Sequence, residues 1–162
     1  MIEADYGHFR NARLLYQRYL DVARKAGALQ TVPAQVIVEA YDDVEAGDSA
    51  DSEKLAEEVL TLDPQGSDMN NAAMIFARAG DVDKARKLLQ TISQRQNQSQ
   101  IFRDFCVPAV EAAIKLRLND PAAAVELLRP IEPNELTASA CYGQLFVRDR
   151  GNPWLTGFGQ AG

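Results

Sequence analysis

The sequence is short of the residues that carry chemistry. It has a single histidine, two cysteines and one tryptophan in 162 residues. A metal site needs three or four ligands of the His, Cys and carboxylate type, and a nucleophilic triad needs a base beside its nucleophile. His8, in the first turn, has no second His or Cys at ligand spacing and reads as a surface turn residue. Positive charge is also in deficit: 17 Lys and Arg face 23 Asp and Glu, a net charge of -6, so the chain as a whole lacks the field that binds a phosphate backbone. Long apolar runs are missing too. Stretches such as Val36-Ile37-Val38 are broken by charge within a few residues, whereas a membrane span takes about 20 apolar residues in a row. Met1-Ile2-Glu3-Ala4-Asp5 is acidic where a secretory signal is basic, and a cytoplasmic location is expected. Cys106 and Cys141, each in an apolar helical context, are expected to be packed free thiols, with a disulfide between them as the alternative.

What remains is an ordinary globular composition, 46% hydrophobic and 25% charged, long enough for one domain over 1–162 to hide roughly 70% of its unfolded surface. Almost nothing alternates with period two. Apolar residues recur instead at three-and-four spacing, as in Ala85, Leu88, Leu89 and Ile92 or Ala109, Ala112, Ala113 and Leu116, which predicts an all-α fold. Helices are expected near 9–26, 32–46, 50–62, 67–79, 81–95, 99–118, 121–130 and 135–149. They break at a recurring turn anchored on Gly7, Gly47, Gly80, Asn119 and Gly151, at intervals of 40, 33, 39 and 32 residues. Gly or Asn ends one helix in the left-handed conformation, and the Asp or Asn after it caps the next.

Five residues after the anchors stand Ala12, Ser52, Ala85, Ala124 and Thr156, and seven residues before three of them stand Ala40, Ala73 and Ala112. Small side chains at both places let paired helices approach closely. A period near 34 residues is that of the tetratricopeptide (TPR) hairpin, so the expected architecture is a right-handed α-solenoid of about four TPR-like hairpins, the last one incomplete.

Residues 102–136 carry a closer likeness. Phe102, Phe105 and Pro108 lead into Ala112-Ala113-Ile114, then Asn119-Asp120-Pro121-Ala122, Ala124-Val125-Glu126-Leu127-Leu128, Pro130 and Pro133-Asn134-Glu135-Leu136. This run resembles the TPR region C-terminal to serine/threonine protein kinase domains, and in some winged-helix regulators, of acidobacteria, and the similarity extends over most of the chain up to Leu145. The resemblance implies a non-catalytic interaction module, a scaffold or sensor in bacterial signal transduction. The sequence departs from it after Tyr142-Gly143-Gln144, where Pro153-Trp154-Leu155-Thr156-Gly157 replaces a long Ala-rich helix. That leaves Leu145, Phe146 and Trp154 without an evident cap and points to fold-back or self-association at the C-terminal end. No Val-Ala-Ile-Lys strand or His-Arg-Asp loop is present, and Asp104-Phe105-Cys106 only imitates Asp-Phe-Gly. No enzyme activity and no cofactor are expected of this chain.

The remaining motifs are weak. Gly157-Phe158-Gly159-Gln160-Ala161-Gly162 has the Gly-x-Gly-x-x-Gly spacing but lacks the strand and helix that aim N–H groups at phosphate. The consecutive acids Asp42-Asp43 and Glu57-Glu58 are expected on solvated faces. Binding is expected on the first helices of successive hairpins, whose groove positions are Ile37, Tyr41 and Val44, then Asn70, Met74 and Arg78, then Ala109, Ala113 and Arg117, then Cys141, Leu145 and Arg148. One arginine in each of the last three sets forms a strip suited to a peptide carboxylate or an acidic segment of a protein partner. The alternative is a small-molecule or peptide-signal receptor that closes around its ligand.

Overall fold

A computed structural model of the chain describes residues 6–28, 32–62, 68–94, 100 and 102–131. Among them there are seven α-helices, one π-helical turn and no strand. The helices are α1 (Phe9–Lys25), α2 (Val32–Glu45), α3 (Ser49–Leu62), α4 (Asp68–Ala79), α5 (Val82–Ser93), α6 (Val107–Arg117) and α7 (Pro121–Leu128). The π-helical turn, Phe102–Cys106, runs directly into α6. Helix 99–118 was expected to be one α-helix. Pro108 explains the difference: it has no N–H for the carbonyl of Asp104, so the four-residue bonding pattern cannot continue back through it. The expected helix 135–149 lies outside the described residues.

Local chemistry sets the ends. Gly7, Gly47, Gly80 and Asn119 all take positive φ, as the turn pattern requires. At Gly47 and Asn119 the next residue's N–H bonds a carbonyl five back, Asp48 to Asp43 at 2.8 Å and Asp120 to Lys115 at 2.9 Å, which closes the last helical turn. The following helix is capped by the same aspartates: Asp48 accepts from the Asp51 N–H, Asp81 from Lys84 and Asp120 from Ala123. Gly27 is a further left-handed turn, with Ala28 N–H bonded to Ala23 O at 2.9 Å.

Packing is sequential and alternate at once. α2 packs on α3, α3 on α4, α4 on α5 and α6 on α7, while α2 also touches α4 and α4 touches α6. α4 is therefore central, and its residues from Met69 to Ala77 are all buried, Asn70 and Asn71 being the polar ones among them; a helix mostly apolar all round belongs inside a fold. The core is built on Val36, Ile37, Val59, Ile75, Phe76 and Val110. The small residues predicted at contacts, Ala12, Ala40, Ser52, Ala73, Ala85, Ala112 and Ala124, are all buried. Among the described residues, no helix is long and apolar enough to cross a membrane.

Candidate functional site

Helices α2, α4 and α6, which touch in series, bring the sequence-predicted groove positions together but do not leave them open. Ile37, Asn70, Met74 and Ala109 are buried, and Tyr41, Val44 and Ala113 are half-buried. An exposed floor was expected. These side chains are instead enclosed where α2, α4 and α6 meet. Leu145, Arg148 and Cys141 lie outside the described residues.

Two arginines of the predicted strip are engaged between helices. Arg78 lies 6.0 Å from the Tyr41 ring centroid and forms an ion pair with Glu45, tying α4 to α2. Burial lowers the Arg78 pKa and raises that of the Tyr41 phenol. Arg117 is exposed, and its Nη2 donates to the Ala79 carbonyl at 3.3 Å. There it places a cation on the C-terminal end of α4, where the helix dipole favours one. Gly80 makes this approach possible, since a Cβ built there would stand 2.6 Å from Arg117 Nη2. At the opposite end of α4, the side-chain oxygens of Asn70 and Asn71 are buried without a hydrogen-bond partner, a costly arrangement for an amide. The Asn71 nitrogen donates to Asp68 at 3.2 Å.

A polar cluster missed by sequence reasoning occupies the seam between α1 and α2. Arg13 donates from Nη2 to Asp43 at 2.6 Å and to Asp48 at 3.0 Å, and from Nη1 to Asp51 at 3.3 Å. Tyr16 donates to Asp42 at 2.9 Å. Asp43 is thus buried and Asp42 half-buried, which corrects their assignment to a solvated face. Hydrogen bonds to Asp43 and Asp48 raise the Arg13 pKa, and the bond from Arg13 lowers that of Asp48. Asp43 is raised by burial although Arg13 opposes it. One turn earlier, Glu39 is 4% exposed, and burial followed by repulsion from Asp43 pushes its carboxyl up to about 7. The available signal was periodicity: Glu39 and Asp43 fall on the same side of α2 as Val36 and Ala40.

A cleft of about 430 Å³ lies where α5, α6 and α7 meet, with Leu89, Ile114 and Leu127 at its apolar wall and Arg86, Glu111 and Lys115 around them. Arg86 and Glu111 are exposed, so it opens to solvent. Cys106 is buried as expected, but it is not a free thiol: its sulfur is in a disulfide. Among the described residues no group of three or more His, Cys, Asp or Glu is placed to hold a metal ion. No family model matches the chain, and neither the curated proteins nor the solved structures contain a match to it.

Proposed function

We propose that the chain is a non-catalytic protein or peptide interaction module, a right-handed solenoid of TPR-like hairpins of the kind attached to acidobacterial serine/threonine kinases and serving as scaffold or sensor. The observation that carries this reading is the contact pattern. α2 with α3, α4 with α5 and α6 with α7 form successive hairpins, and α2, α4 and α6 touch in series, which is the pattern a hairpin stack produces. A stack of this kind presents extended faces rather than an enclosed reaction centre. Of the described strip arginines, Arg117 is the one exposed to a partner.

The test is calorimetric titration of a partner captured from bacterial extract against wild type, Arg117→Glu and Lys87→Glu, the last an exposed position on α5. An acidic ligand on the inner face loses about 2 kcal/mol with Arg117→Glu through lost bonds and like-charge repulsion, and little with Lys87→Glu. Equal affinities for all three proteins remove the inner face from the reading. The receptor alternative is favoured by the cleft between α5, α6 and α7, whose volume of about 430 Å³ is that of a small-molecule site. Mass spectrometry of the purified protein under native conditions decides it: a stoichiometric small molecule released on unfolding supports the receptor.

A further inference from the structure

The charge of the chain is unevenly spread. α1 carries Arg10, Arg13, Arg18, Arg24 and Lys25 against the single acid Asp21, a net +4 in a chain of net -6, so the remainder holds -10. One side of this basic helix is already occupied: Ala12, Tyr16, Leu20 and Ala23 are buried, and α1 packs on α2. Another side is apolar and exposed. Leu14, Leu15 and Val22 fall on one stripe of the helix and are 56%, 51% and 65% exposed. Arg18 and Lys25 stand on the same stripe, four residues after Leu14 and three after Val22, and both are exposed. Lone exposed aliphatics are ordinary on a protein surface; three on one helical stripe, interleaved with cations, form a surface.

Position in the stack says what this surface fits. α1 follows a left-handed glycine turn and buries a small residue five positions on, Ala12, as α3 does with Ser52 and α5 with Ala85. α3 is flanked by α2 and α4, and α5 by α4 and α6, whereas the main packing of α1 among the described helices is on α2 alone. The helix that α1 does hold is acidic and amphipathic: α2 bears Glu39, Asp42, Asp43 and Glu45, no basic residue, and an apolar side with Val36 and Ile37. Its carboxylates meet Arg13 and Tyr16 of α1.

We propose that the exposed stripe of α1 docks a second helix of the same chemistry, an acidic amphipathic helix from a partner protein. Its apolar side chains lie on Leu14, Leu15 and Val22, and its carboxylates reach Arg18 and Lys25. This inference rests on the interaction-module reading but uses a surface apart from the inner faces of α2, α4 and α6. A second copy of α1 is disfavoured as occupant because it would set +4 against +4.

The experiment uses the full chain and a fluorescent synthetic 18-residue helix-forming peptide with Leu on one side and Glu on the other. Controls are a twin peptide with Lys in place of Glu and vesicles containing phosphatidylserine. The expected result is saturable binding of the Glu peptide, weakened about tenfold or more by Val22→Glu and by Arg18→Glu and also by raising the salt concentration, with no binding of the Lys twin. Circular dichroism checks that both variants remain helical. Absence of saturation, unchanged affinity in both variants, or equal binding of the Lys twin overturns the proposal. So does recruitment to vesicles through Arg18 without peptide binding, or a concentration-dependent dimer abolished by Val22→Glu in place of peptide binding. The two readings separate on a captured partner: weakening by Arg117→Glu but not by Val22→Glu overturns the α1 surface and leaves the module reading standing.

Discussion

Replacing Glu39 by glutamine tests the energetics of the α1–α2 seam. In the unfolded chain this carboxyl releases its proton near 4.5, and in the fold burial and Asp43 push that up to about 7. Between these values the folded state holds the extra proton, so stability falls as pH rises. The contribution is whole below about 4.5 and is lost through 7. At 1.36 kcal/mol per pH unit, the shift corresponds to about 3 kcal/mol at most above pH 7, and relief of Asp43 when Glu39 is neutral belongs to the same coupled pair. Glutamine keeps the size and never ionises. Glu39→Gln is therefore expected to match wild type near pH 4 and to exceed it by about 2 to 3 kcal/mol at pH 8, a rise of about 4 to 12 °C in midpoint for a domain of this size. Urea and thermal unfolding followed by circular dichroism at both pH values measure the gap between variant and wild type, which removes the titrations the two proteins share. A gap independent of pH, or a variant less stable than wild type at pH 8, would refute the reasoning.

Three further outcomes follow from particular contacts. Arg13→Met removes the cation shared by Asp43, Asp48 and Asp51; because Arg13 is about one third exposed, the loss is about 1 to 3 kcal/mol at neutral pH, shrinking in acid as Asp43 takes up its proton, and denaturant titration at two pH values reads it. Ala85→Leu and Ala124→Leu overpack contacts where the native side chains are 0% and 2% exposed, lowering stability by about 1 to 3 kcal/mol; unchanged thermal midpoints would show that those contacts are loose. Gly80→Ala places a Cβ at φ +113° and against Arg117, a backbone cost of about 1 to 3 kcal/mol, and an undiminished melting temperature would contradict it.

Apart from the start of α6, at Val107 where 99 was expected, the described helices begin and end within about two residues of their expected positions because their boundaries are local chemistry. A glycine or asparagine at positive φ followed by a capping aspartate needs no tertiary partner to act. The misses mark where that locality ends. Gly27 takes the same left-handed conformation, but Ala28 follows it and it falls midway between Gly7 and Gly47, outside the spacing that marks the other turns. The π-helical turn before α6 depends on one absent N–H at Pro108, which a count of apolar spacing does not register.

Burial at the groove positions was not legible for a different reason: it depends on the separation of two helices, not on an offset along one. The small residues that make the hairpins recognisable also bear on this. Ala73 and Ala109 are buried on α4 and α6, which touch, and small side chains there let helices approach, so the feature from which a stack is expected also closes the seams over Ile37 and Met74. The Arg13 cluster bridges residues 30 to 38 positions apart, beyond any helical period. Its buried half was nonetheless written into α2, since an acid on the apolar side of a helix requires a cation or a proton: Asp43 has Arg13, and Glu39 holds its proton to about 7. Charge is unevenly spread within the net of -6: α1 is basic and lies against α2, which carries four acids and no base. Contact energies are set within about one Debye length, about 8 Å at physiological salt, so the charge that selects a partner is that of the helix it touches, and the +4 of α1 governs that choice more than the sum over the chain.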